Sequence, residues 1–111
     1  MVMVVDIQNK LELDFGPELV FAKDELEALY ITTNWLVSDR VVRSVIYLAN
    51  GDIDLLKENI ERALTDHKDL LWQAEYNRGD EQLRDFNKTF QELGLVKSKN
   101  EDQAGGSLNS N

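Results

Sequence analysis

The spacing of apolar residues changes period once along this chain. Lys10-Leu11-Glu12-Leu13-Asp14-Phe15 alternates polar with apolar side chains, the period-two pattern of a strand with one wet face. Gly16-Pro17 breaks the run, and Leu19-Val20-Phe21-Ala22 is a short apolar stretch that suits a second strand. Val2 to Ile7 can pair as a third, with Gln8-Asn9 as the connection. An N-terminal antiparallel hairpin or meander is therefore expected. Its apolar face, holding Leu11, Leu13 and Phe15, needs a covering layer, because two or three strands are marginal alone.

From Asp24 the period becomes helical. Asp24-x-x-Glu27 has the form of a capping box. Leu26, Leu29, Tyr30, Thr33, Leu36 and Val37 then form one amphipathic stripe. Ser38-Asp39 ends that helix and caps a central one, expected from Arg40 to Ala49 with a left-handed stop at Asn50-Gly51. Asp52 caps a third helix with Ile53, Leu56, Ile60, Ala63 and Leu64 on its core face, and Glu58 is spaced to pair with Arg62. Thr65-Asp66 followed by Asp69 reads as a fresh N-terminus, so a break near Thr65 is expected. After a turn at Asn77-Arg78-Gly79-Asp80, Leu83, Phe86, Phe90 and Leu93 predict a last helix stopped by Gly94. The fold class is α+β, predominantly helical: the N-terminal hairpin or meander packed on a four- to five-helix bundle. One globular domain over 1–96 is expected, followed by a disordered tail over 97–111 that lacks apolar periodicity.

The central segment Val41-Val42-Arg43-Ser44-Val45-Ile46-Tyr47-Leu48-Ala49 is apolar nearly all round. A helix without a polar face is buried in a core or against a partner. Several large side chains fall off the core stripes of their helices: Trp35, Val41 and Tyr47, and the pair Trp72 and Tyr76. Aromatic residues bury large areas while keeping a polar handle, which enriches them at interfaces. With Leu48, these six are the candidate interface residues.

Charge narrows the choice of partner. The 111 residues carry a formal net charge of −9 and no cysteine. From Met1 to Val37 seven acidic residues face two lysines, while Asp39, Arg40 and Arg43, between two acidic stretches, sum to a locally basic patch. An acidic surface repels phosphate backbones and anionic membranes, so neither direct nucleic-acid binding nor membrane binding is expected. Absence of cysteine excludes a disulfide framework and thiolate metal sites. The start lacks a basic n-region, and no run approaches the ~20 apolar residues of a membrane span. A cytoplasmic protein is expected.

Motifs that carry chemistry are missing. His67 is the single histidine, and neither the third nor the fourth residue before it is a ligand type. Asp52-x-Asp54 begins like a calcium loop, but Leu56 and Lys57 stand where a donor and a glycine are required. Arg78-Gly79-Asp80 reads as a turn, and Glu58 and Glu61 as a solvated helix face. No catalytic, metal or cofactor-binding residue is assigned. Three function classes follow in order: a non-enzymatic protein–protein interaction module, as a homodimer or with a protein partner; an acidic inhibitor of immunity, antitoxin or nucleic-acid-mimic type that binds a basic protein; and a small enzyme with a site around His67, Glu75 and Tyr76.

Overall fold

The computed structural model describes residues 3–76 and 80–95. The tail expected at 97–111 and residues 77–79 of the expected turn lie outside them. Among the described residues there is no strand. Where the hairpin or meander was expected, the chain forms α1 (Val5–Phe15), a 3₁₀ turn (Gly16–Glu18) and α2 (Leu19–Thr32). Two further helices follow, α3 (Asp39–Ala49) and α4 (Ile53–Glu75). The α+β expectation is therefore corrected to a helical fold.

The period-two run was misleading because it shares its residues with a longer period. Met3, Ile7, Leu11 and Phe15 are all buried, and a spacing of four puts them on one helix face. Leu13, the member that only a strand would bury, is 63% exposed. Gly16 takes a left-handed φ of 47°, and Pro17 sits at the start of the 3₁₀ turn, where its missing N–H costs little. α2 thus begins at Leu19, five residues before the expected cap. Ala22, Leu26, Leu29 and Tyr30 are its buried face, while Val20 and Phe21 face solvent.

The stripe drawn through Thr33, Leu36 and Val37 also ends early. Asn34 and Trp35 adopt φ of 57° and 64°, a backbone region costly for a bulky residue. The Trp35 amide donates to the Tyr30 carbonyl at 2.7 Å, and its ring stacks on Tyr30 at 5.4 Å, which offsets that strain. Leu36 is left in the loop.

Local signals further along are realised. The Ser38 hydroxyl accepts from the Val41 amide, and Asn50 is left-handed at the end of α3. Asp52 accepts from the Asp54 and Leu55 amides to start α4. α4 breaks at Asp66 (φ −154°, ψ 81°), whose carboxylate accepts from the Asp69 amide as a second cap. Arg62 bonds Asp69 and Gln73 across this break rather than pairing with Glu58.

The last expected helix is absent: residues 80–95 form isolated turns. Phe86 and Phe90 enter the core fully buried. Their amides, however, bond to carboxylates of Glu75 and Asp6 instead of carbonyls one turn back. Thr89 and Glu92 exchange reciprocal capping bonds around a single turn, and Gly94 closes it at φ 73°. One core joins all four helices to this segment. No helix among the described residues is long and apolar enough to cross a membrane.

Candidate functional site

α3 is central: no residue from Val41 to Ala49 is exposed. On one side it carries Arg40, Arg43 and Tyr47. Arg43 makes a two-pronged bond to the Asp6 carboxylate, 2.9 Å on each prong, and its third donor reaches the Phe86 carbonyl at 3.0 Å. Asp6 also accepts the Phe90 amide at 3.1 Å. Arg40 binds Glu75 in the same manner, with Nε 3.0 Å from Oε2. Glu75, completely buried, further accepts the Phe86 amide at 2.9 Å and the Gln82 amide at 3.3 Å. Tyr47 lies between the Phe86 ring and the Arg84 guanidinium.

These contacts set the protonation states. Burial raises the carboxyls of Asp6 and Glu75, but each arginine, with the Phe90 or Phe86 amide, outweighs it, and both titrate below their usual range. Arg43 and Arg40 are raised in turn by hydrogen bonds to those carboxylates. Of the basic patch expected at Arg40 and Arg43, Arg43 is thus buried with Asp6, and the partly exposed Arg40 is paired with Glu75.

On the opposite side, Ser38 and Val41 wall a half-open cavity of about 320 Å³. Leu29, Thr33, Leu36 and Val37 close it from α2 and the loop, and Ala63 and His67 from α4 next to its break. The lining is mostly apolar. Leu36 is 82% exposed at the mouth, Trp35 beside it 47%, and Leu64, next to Ala63 in α4, 44%. Burial, reinforced by the Asp39 charge and opposed by that of Arg43, pushes the phenol of Tyr30 under Trp35 up to about 12.

The six interface candidates do not form one surface. Val41 is a buried cavity wall, and Trp35, exposed and stacked on Tyr30, precedes the lining residue Leu36. Tyr47 and Leu48 are half-buried against the core, Tyr47 beneath residues 80–95. Trp72 is exposed on the second limb of α4, and Tyr76 is half-buried at its end. The trio His67, Glu75 and Tyr76 is not assembled: His67 is exposed at the cavity, and Glu75 lies eight residues further along α4, roughly 12 Å by helical rise. Among the described residues no three histidine, aspartate or glutamate side chains converge as a metal site would require.

Sequence reasoning named Arg40, Arg43 and Glu75 in other roles and missed their pairing, Arg43 with Asp6 and Arg40 with Glu75. One signal was available: an arginine inside an otherwise apolar helix is buried only with a partner. No protein-family model, curated protein or solved structure matches this chain.

Proposed function

We propose that this protein is a non-enzymatic binding module whose cavity receives an apolar side chain of a basic protein partner. The observation that carries the reading is the apolar cavity between α2, α3 and α4, with Leu36 exposed in its lining and the exposed Trp35 and Leu64 adjacent in sequence to lining residues. Exposed aromatic and aliphatic residues around a concave apolar site are the features of an interface centre. Charge selects the occupant. At −9, two copies repel one another, whereas a cationic partner is steered in. An inhibitor of a basic enzyme is one instance of this class. The cysteine-free composition supports a cytoplasmic setting as part of the same proposal.

The test uses Trp35 as reporter in a Trp72→Phe background. A lysine-rich amphipathic helical peptide without tryptophan is titrated in at low salt. A blue shift of Trp35 emission is expected, lost when the peptide's leucines become serine and weakened by salt. An unchanged spectrum, or an equal response to the serine peptide, overturns the reading.

A further inference from the structure

Asn50-Gly51 is the single Asn-Gly pair in the chain. Asparagine is thermolabile, and most so before glycine, which has no side chain to shield its nitrogen. The Gly51 nitrogen can bond to Asn50 Cγ while the side-chain amide leaves as ammonia, closing a five-membered succinimide. Water then opens that ring at either carbonyl. One product is aspartate. The other is isoaspartate, in which the main chain runs through the former side chain.

The corner between α3 and α4 displays this pair to solvent. Asn50 is exposed, and the Gly51 N–H meets no acceptor among the described residues. Burial therefore does not protect it; torsion does. Asn50 is left-handed, at φ 49° and ψ 42°, which sets the Gly51 nitrogen nearly trans to Asn50 Cβ about the Cα–C bond. Ring closure requires both on the same side, so ψ must swing through almost half a turn. The flanking bonds oppose that swing. The Asn50 amide donates to the Ile46 carbonyl at 3.2 Å and the Asp52 amide to the Ala49 carbonyl at 3.0 Å. Asp52 in turn holds the first amides of α4.

The fold also requires the labile pair. A left-handed residue ending a helix is most often glycine or asparagine. Gly51 lies so close to α1 that a Cβ there would meet the Asp14 carbonyl oxygen at 2.9 Å. The chemically weakest dipeptide thus stands where the backbone demands it, and the same backbone holds it out of reacting geometry.

We propose that Asn50 is a conformationally guarded deamidation site, converted to aspartate or isoaspartate only when the corner between α3 and α4 opens. Isoaspartate inserts one extra carbon into the main chain at this corner. A molecule that has opened and reacted is thereby marked, and its corner no longer closes as before.

The experiment incubates the full chain and a synthetic peptide of residues 46–55 in the same mildly alkaline buffer. Conversion at Asn50 is followed by tandem mass spectrometry. The peptide, too short to fold, sets the unguarded rate. The folded chain is expected to convert at least tenfold more slowly, and urea beyond its unfolding transition should abolish the difference. Equal rates in folded chain and peptide, or protection that survives unfolding, overturn the proposal. Asp52→Ala removes the α4 cap and should speed conversion of the full chain at least threefold, measured against a peptide with the same substitution. An unchanged ratio would mean that the corner does not control the reaction, and the proposal fails. The isoaspartyl chain, separated by chromatography, is expected to unfold at lower urea than the unmodified chain. An unchanged midpoint contradicts the loss of the corner.

Discussion

On one side of α3, Arg43 and Tyr47 are covered by residues 80–95 through charged, backbone and aromatic contacts, and Arg40 is tied to that segment through Glu75. On the other, Ser38 and Val41 border a cavity with exposed side chains at its mouth. The closed side is built from groups that tolerate one geometry only: a buried arginine–carboxylate fork fixes register, whether or not it adds net stability. The open side is built from apolar walls that accept any side chain of suitable size. One short helix therefore separates a surface that specifies the fold from one available for binding.

The largest expected effect comes from breaking the closed side. Arg43→Ala leaves the Asp6 carboxylate buried and unpaired, and a loss of about 3–5 kcal/mol is expected in urea unfolding. A loss below ~1 kcal/mol would show that the fork is not desolvated. Acid should reach the same side without mutation. Asp6 and Glu75 titrate lower folded than unfolded, so the unfolded chain binds more protons in acid. Their contribution is intact above the ordinary values of 3.8 and 4.5 and is lost as pH falls through the lower folded ones. Asp85 and Glu92 on the same segment are also lowered, by amides of Asn87 and Thr89, and act in the same direction. Stability measured from pH 7 to 2 should be flat and then fall below about pH 4. A fall beginning above pH 5 would contradict the assignment.

Gly51 belongs to neither side and calibrates the frame. It sits at φ 82°, and a Cβ there would meet the Asp14 carbonyl oxygen at 2.9 Å. Gly51→Ala should cost about 1–3 kcal/mol by thermal unfolding, with the pH profile unchanged in shape. The smallest effect is expected at the open side. Leu36→Ala, at an 82% exposed position, should change stability by less than ~0.5 kcal/mol. It should nevertheless weaken the response to the lysine-rich peptide. A stability loss above ~1 kcal/mol would make Leu36 a structural residue instead.

How much was legible follows from which signals are local. Ser38, Asn50, Asp52 and Asp66 were readable because a cap is decided within four residues. The N-terminal helices were not, since a six-residue alternation in α1 outweighed the spacing of four from Met3 to Phe15. Residues 80–95 failed for a different reason. Leu83, Phe86, Phe90 and Leu93 have helical spacing, but buried carboxylates distant in sequence take the amides of Phe86 and Phe90. Of the interface candidates, only Val41 lines the cavity, and Leu36, Ala63 and His67 join it there through the loop after α2 and the break in α4. A left-handed Trp35 is not written in any local pattern.

The contrast between the two sides is tested most directly by mapping amide shifts of the full chain during titration with the lysine-rich peptide. Shifts confined to the loop at 33–38, Val41, Ala63 and His67, with Arg43, Phe86 and Phe90 unmoved, are the predicted result. Shifts centred on Phe86 and Phe90, or no shifts at the cavity, would contradict the assignment of the open side as the binding surface.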